Sequence, residues 1–286
     1  RVTMVGMDQK PSLQEMIDAV IKTFIVAHAD DGDAHLAQAL VYNAGRLAWR
    51  LREMGVDVEH KTSISDVVTD ADRAAERFVA GVLEAVRPED GILGEEGAAR
   101  ESQSGRTWVI DPVDGTSNFA SGKPQFGVIV ALAGGGETLA GWIHDPLGRR
   151  MAVAVKGEGA WLDSTRLRTA ETAPPADMTG VLSSRYFDPS VRERLEDRRH
   201  RFAHTFSLRC AAHEYLSLTS GETHFSLYRR IMPWDHAAGT LMHAEAGGYH
   251  ARLDGSPYAP TEQTGGLLLA PDRRSWTELR DLLFQD

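Results

Sequence analysis

The sequence predicts an α+β fold, an antiparallel meander lobe joined to a lobe in which strands and helices alternate. Three observations carry that expectation. Residues 126–133, 138–144 and 151–155 are β-favouring runs separated by turns short enough to join adjacent antiparallel strands. Beyond Pro174-Pro175, short apolar runs near residues 179–183, 203–207, 223–228, 249–253 and 267–270 alternate with helical stretches, the pattern of an α/β unit. The double proline marks the boundary, giving an N-terminal lobe of residues 1–172 and a C-terminal lobe of residues 173–286. At 286 residues the chain is long for one core and short for two full domains, which favours one unit with two lobes.

Composition excludes several classes of function. A hydrophobic content of 42% with only 12 prolines describes a folded chain rather than a disordered or fibrous one. The formal net charge of -10 argues against nucleic acid as a partner. It also denies an anionic substrate any long-range attraction, so phosphate specificity must come from local cations and backbone amides. Cys210 is the single cysteine; it rules out an intramolecular disulfide and fits a reducing compartment, so a cytoplasmic protein is expected. No apolar run approaches the ~18 residues that span a bilayer, and the stretch 19–27 is broken by Lys22, so no membrane partner is expected.

Taken in order, Ser12 and Glu15 form a capping-box pattern before a helix to about residue 27, with Leu13, Ile17, Val20, Ile21 and Phe24 on one face. Asp30-Asp31-Gly32-Asp33 lacks the closing glutamate of an EF-hand loop and reads as a turn and helix cap. Residues 36–54 form a long amphipathic helix stopped by Gly55, and the polar residues 61–68 belong to no core. Thr69 to Asp72 open a helix to about residue 86. Thr69 as N-cap, with Asp72 three residues on, accounts for both residues without any catalysis. Residues 91–93 are a short strand that delivers Glu95 and Glu96, and residues 108–110 are another that delivers Asp111. Pro112 is expected to end the ladder there, and Asp114-Gly115 to turn the chain before Thr116. The triplet 134–136 has no following Lys-Ser or Lys-Thr, so it is a hairpin turn and not a phosphate loop. Arginines in 192–201 are mixed with Glu193, Glu196 and Asp197, the texture of a solvated helix face, and His200 with His204 lacks a third metal ligand nearby.

Two strands therefore end in acid. Carboxylates that close repel one another and call for a cation, and oxygen-only ligands favour Mg²⁺ or Mn²⁺ over Zn²⁺. A solvated Asp-Gly turn is the alternative account of Asp111 to Gly115. Trp234-Asp235-His236 begins a helix that ends at Gly247-Gly248, which makes Asp235 either a further ligand or simply the helix cap.

Glu95, Asp111, Asp114 and Asp235, in this order and company, resemble the inositol monophosphatase family of Mg²⁺-dependent, Li⁺-sensitive phosphatases. The likeness runs from about residue 36 to the C-terminus: Lys61, the stretch 66–72, Gly94-Glu95-Glu96, the stretch 111–119 with Gly122 and Pro124, His144-Asp145-Pro146, the stretches 157–160 and 234–239, and Glu245-Ala246-Gly247-Gly248. The resemblance implies a layered α-β-α-β-α sugar-phosphatase fold, a homodimer, and active residues between the lobes. It implies that Glu95, Asp111 and the Val113 carbonyl bind one Mg²⁺, and that Asp111, Asp114 and Asp235 bind a second. A third, weaker ion near Glu95 is a feature of some relatives, and Mn²⁺ is able to substitute. Thr116 and Asp72 would orient and deprotonate the attacking water, with Glu95 beside them as a catalytic group. Asp114 and the amides of Gly115 and Thr116 would hold the phosphate. Glu96 would support the site from behind, and Lys61 either neutralises local charge or is solvated.

The chain departs from the family at the substrate wall. Arg209-Cys210 precedes Ala211-Ala212 where members that prefer inositol phosphates typically carry Gly-Ser, and Tyr228 stands where an acid is usual. Arg209, Arg229 and Arg230 offer forks suited to a second anionic group. The expectation is a Mg²⁺-dependent phosphomonoesterase acting on a small phosphorylated metabolite, a polyol or sugar phosphate such as inositol 1-phosphate. Fructose 1,6-bisphosphate, 3'-phosphoadenosine 5'-phosphate and histidinol phosphate are alternatives on the same metal core. A regulatory or binding protein that retains the phosphatase fold is the alternative from another class.

Overall fold

The computed structural model describes residues 12–54, 58–60 and 67–285, with side chains described in 12–54 and 70–285. Lys61, Asp66 and the capping side chain expected at Thr69 lie outside the described residues. The chain opens on α1 (Leu13–His28), α2 (Asp33–Glu53), the hairpin β1 (Val58–His60) with β2 (Val67–Thr69), and α3 (Asp70–Val86). The capping box of α1 is present: Ser12 N–H donates to Glu15 Oε2 (2.8 Å) and Glu15 N–H to Ser12 Oγ (3.3 Å). Helix α2 starts three residues earlier than its apolar pattern, because its N-cap is Gly32 and Asp33 caps nothing. Asp33 instead pairs with Arg87 (2.7 Å) and Arg106 (2.6 Å), tying the start of α2 to the end of α3.

Strands β3 (Gly91–Gly94), β4 (Ala99–Arg100) and β5 (Arg106–Asp114) follow, then the short α4 (Thr116–Ala120). The meander is β6 (Gly127–Gly134), β7 (Glu137–Asp145), β8 (Arg150–Val155), β9 (Gly159–Leu162) and β10 (Thr165–Arg166). Together they form an eight-stranded sheet of order β10-β9-β8-β7-β6-β5-β3-β4, antiparallel except where β3 and β5 run parallel. Gly135 and Gly136, with φ of 61° and 81°, make the two-residue turn between β6 and β7 that left-handed residues favour. Pro112 does not end its strand. Three steps along β5 from Asp111 to Asp114 face two steps along β6 from Ile129 to Gly127. The proline sits in that bulge, where no ladder N–H is required of it.

The second sheet takes β11 (Thr179–Leu182), β12 (His204–Phe206), β13 (Phe225–Tyr228), β14 (Tyr249–Arg252) and β15 (Leu267–Ala270), in the order β12-β11-β13-β15-β14. Between these strands run α5 (Pro189–Asp197), α6 (Ala211–Thr219) and α7 (Pro233–Glu245), and α8 (Arg273–Phe284) closes the fold. Three apolar clusters stack the elements into α-β-α-β-α layers. Helices α1 to α3 cover one face of the first sheet, where Leu40, Phe78 and Leu83 meet Trp108 and Trp142. Helices α6 and α7 fill the space between the sheets: Tyr215, Ala238 and Met242 share a cluster with Ile129 and Ile143 below and Leu267 and Leu269 above. Leu268, one step along β15, points the other way and packs with Trp276 and Leu279 of α8, as the strand period of two requires. Helix α7 comes close to the first sheet at Gly141, where a Cβ would stand 2.7 Å from the Cα of Ala238. Among the described residues no helix is long and apolar enough to cross a membrane.

Candidate active site

Parallel pairing sets Gly94 of β3 beside Ile110 of β5, and Glu95 N–H donates to the Ile110 carbonyl (3.1 Å), so Glu95 leaves the sheet next to Asp111. The bulge in β5 turns Asp111 and Asp114 inward, and they are only 1% and 8% exposed. Asp111 Oδ1 accepts the Val113 N–H (3.1 Å). Asp235 arrives from the first turn of α7. It is not the cap: Pro233 is the first helical residue, which moves the N-cap back to Met232 and leaves the Asp235 carboxylate for other work.

One oxygen each of Asp111, Asp114 and Asp235 lies within 4.8 Å of the others, the single group of this kind among the described residues. Burial, and then the charges of Glu95, Asp114 and Asp235, hold the Asp111 carboxyl well above the usual carboxylate range; Asp72 adds to the same field. Asp235 is likewise pushed well up by desolvation, then by Glu95 and Asp114, and Arg230 opposes the shift. Asp114 is raised by burial, against the hydrogen bonds it accepts. A set of oxygen donors that disfavour one another's charge fits a hard divalent cation such as Mg²⁺ or Mn²⁺.

Around these acids the backbone is closely constrained. Gly115 caps α4 in the left-handed region (φ 84°), and a Cβ there would lie 2.9 Å from the Gln125 carbonyl oxygen. Thr116 Oγ1 donates to the Val113 carbonyl (3.0 Å). Asp114 Oδ2 accepts from Ala212 N–H (2.6 Å) and from the Cys210 thiol (3.0 Å), which fastens the bulge to the start of α6. Glu95, Asp114, Gly115, Thr116 and Asp235 line a cleft of about 730 Å³ together with Arg209, Tyr228 and Arg230. Asp72, Asp111 and Val113 are buried and do not line it. The ring of Tyr228 packs on His236 (4.7 Å) and Tyr215 (6.0 Å), and burial pushes its hydroxyl well up, so it meets the cleft neutral.

Sequence reasoning missed three features. Glu76, buried on α3, accepts from the N–H groups of Glu96 and Ala98 (both 2.7 Å) and so holds the loop that carries Glu95. An acid among Ala74, Ala75, Phe78 and Val79 was the available signal. Glu214 of α6, also buried, accepts from Leu208 N–H (2.7 Å) and Ser207 Oγ (3.1 Å), and burial pushes its carboxyl up to about 7. Finally, the stretch 192–201 is not wholly a solvated face. Arg194 and Arg198 donate to the Phe284 and Leu282 carbonyls at the end of α8, while Arg192 and Arg199 line the cleft.

Five alternating layers with carboxylates gathered at the end of a bulged strand define the layered sugar-phosphatase class. The chain belongs to the inositol monophosphatase family, whose profile matches residues 31–283, and it is a phosphoric monoester hydrolase. It is 36% identical over 194 residues to the fructose-1,6-bisphosphatase/inositol-1-monophosphatase of Thermotoga maritima, covering 67% of this chain and 73% of that one. It is 32% identical over 231 residues to the histidinol-phosphatase of Mycobacterium tuberculosis, covering 78% of this chain and 88% of that one. Among solved structures it is similar to the extragenic suppressor protein suhB of Bartonella henselae, with a TM-score of 0.81 and 25% identity over 88% of this chain and 98% of that one.

Proposed function

We propose that the chain hydrolyses the phosphate ester of a small polyol or sugar, with inositol 1-phosphate as the reference substrate, and that it does so with Mg²⁺ held by the carboxylate cluster. The observation that carries this reading is the convergence of Asp111, Asp114 and Asp235 oxygens within 4.8 Å beside a cleft large enough for a phosphorylated sugar. Glu95, Asp111 and the Val113 carbonyl would hold one ion and Asp111, Asp114 and Asp235 another, and Glu95 would also serve a third, weaker ion. Val113 O already accepts from Thr116, but a carbonyl has a second lone pair to offer. Bound divalent ions supply charge stabilisation at the phosphoryl oxygens and lower the pKa of water.

The chain's own residues do the rest. With its hydrogen committed to Val113 O, Thr116 Oγ1 presents lone pairs to the cleft and orients the attacking water as an acceptor. Asp72 serves as the base behind it, and Glu95 completes the catalytic group. The amides at Gly115 and Thr116 hold phosphate oxygens, Asp114 would reach them through the ion it binds, and residues from 173 onward supply Asp235 and the substrate wall of Arg209, Tyr228 and Arg230. A homodimer in the cytoplasm is the assembly this reading carries with it. A binding protein that had lost catalysis would keep a cluster of repelling acids at a cost in stability and for no return.

Phosphate release from inositol 1-phosphate, fructose 1,6-bisphosphate, 3'-phosphoadenosine 5'-phosphate and histidinol phosphate, with Mg²⁺ and with Mg²⁺ plus Li⁺, tests the proposal. Turnover that requires Mg²⁺ and is lost in a folded Asp235→Asn variant supports it. No release from any of the four by folded, Mg²⁺-loaded protein would discard it.

A further inference from the structure

The cleft that the acids enter is also lined by guanidinium groups. Arg185, Arg209, Arg229 and Arg230 all open onto it, and none forms an ion pair with an acid among the described residues. Arg199, which also lines it, is by contrast bound to Glu196. An arginine free on a surface is ordinarily just solvated. Here four open onto one cleft, in a chain whose net charge is -10.

Two further observations show that the wall is built. Arg209 has a φ of 54°, the left-handed region that a residue with a Cβ adopts only against steric resistance. Its turn is held in place from below: Glu214 accepts from Leu208 N–H and Ser207 Oγ, and Ser207 Oγ accepts from Arg209 N–H (3.4 Å). A long cationic side chain is thus kept at a position that glycine would occupy without strain. The second observation is Tyr186, 52% exposed, with Arg185 Cζ 5.4 Å and Arg230 Cζ 5.9 Å from its ring centre. The ring brackets guanidiniums from two loops, after β11 and after β13, and stacking of this kind orients their forks. The Arg230 loop is itself pinned, since His236 bridges the Arg230 carbonyl (3.2 Å) and the Tyr215 hydroxyl (2.9 Å).

We propose that this wall, with Arg209 and Arg230 as its main forks and Tyr186 bracketing Arg230 with Arg185, binds the second phosphate of a bisphosphorylated metabolite. The inference rests on the phosphatase reading: the phosphate to be cleaved lies over Asp114 to Thr116, and the other lies on the arginines. Water adds its oxygen to phosphorus as the ester P–O bond breaks, and the leaving oxygen takes a proton. The products are inorganic phosphate and an alcohol that keeps its remote phosphate.

The test uses substrates that differ only in the remote phosphate: fructose 1,6-bisphosphate against fructose 1-phosphate, and 3'-phosphoadenosine 5'-phosphate against adenosine 3'-phosphate. In one pair at least, the Mg²⁺-loaded protein is expected to favour the bisphosphate by about tenfold or more in kcat/KM, as a charge-assisted bidentate contact warrants. In Arg209→Gly, which relaxes the backbone and so keeps the fold, that ratio collapses through KM for the bisphosphate; Arg230→Gln gives the same collapse. Turnover of both members of each pair at similar kcat/KM, or a preference that survives both substitutions, overturns the wall and leaves the phosphatase reading standing. If nothing is hydrolysed, calorimetric titration of the same pairs into the Mg²⁺-loaded protein still decides. Tighter binding of the bisphosphate, lost in Arg209→Gly, keeps the wall and sinks the phosphatase reading, whereas equal binding sinks the wall.

Discussion

Asp111 is buried and surrounded by the charges of Glu95, Asp114, Asp235 and Asp72, which disfavour its ionisation. Asparagine at this position keeps the oxygen that accepts from Val113 N–H and removes the charge. Asp111→Asn is therefore expected to stabilise the metal-free protein while reducing Mg²⁺-dependent turnover at least about 100-fold. Denaturant unfolding in chelator and phosphate release check the two halves, and a destabilised metal-free variant would count against repulsion as the dominant effect. Glu214 makes a different prediction. Its carboxyl sits at about 7 in the fold against an ordinary 4.5, so the folded state holds its proton more tightly than the unfolded chain does. Its contribution is complete below about 4.5 and is lost as pH rises through about 7, which amounts to about 3 kcal/mol at 1.36 kcal/mol per tenfold step. Glu214→Gln, which retains an acceptor for Leu208 N–H, should flatten the fall in stability between pH 4.5 and 7.5. An unchanged slope would remove Glu214 as its cause. At this scale the convergence of Asp111, Asp114 and Asp235 was legible because their order along the chain is distinctive. Glu76 and Glu214 were not, because their value lies in backbone amides that fold up to them from elsewhere.

Gly94 shows how an element depends on what is packed behind it. A Cβ there would stand 2.3 Å from Glu76 Oε2 and 2.5 Å from its Cδ, so strand β3 ends on glycine to let a buried carboxylate close against it. Gly94→Ala must expel Glu76 from the amides of Glu96 and Ala98, at a cost of about 2–3 kcal/mol for overpacking and lost charge-assisted hydrogen bonds. Turnover should fall with stability, because Glu95 lies in the displaced loop. A double-mutant cycle isolates the cause: in a Glu76→Ala background the same alanine should cost little, and additive costs would mean that Gly94 matters for another reason. Most elements were legible from local pattern alone, including the capping box of α1, the glycine turn of the meander and the alternation after Pro175. The exceptions share a cause. Pro112 was expected to stop β5, and capping α7 was the alternative open for Asp235, because each is the ordinary local role of that residue. In both cases the surrounding structure overrides it, by a bulge in one and by Pro233 in the other. Both departures aim a carboxylate at the same point.

Across the whole molecule the site joins two neighbouring layers. Asp111 and Asp114 end a strand of the first sheet, and Asp235 begins the helix that fills the gap between the two sheets. Metal binding under the proposed reading is therefore a clasp across layers and should appear in global stability. The raised carboxyl values of Asp111, Asp114 and Asp235 set the sign of its pH dependence. At low pH the cluster holds protons that a cation must displace, and the metal-free fold suffers little repulsion. As pH rises the protons leave, the metal-free fold loses stability, and the fully charged cluster binds the cation more tightly. At a Mg²⁺ concentration about 100 times the dissociation constant, binding stabilises by about 2.7 kcal/mol, or roughly 5–10 °C in Tm for a chain of this size. Melting curves with Mg²⁺ and with chelator should thus separate by about that amount at pH 8 and by less at pH 5.5. Equal separation at both values would mean that the ion binds somewhere other than these three carboxylates. A separation lost at both pH values in a folded Asp235→Asn variant would tie the clasp to the helix between the sheets.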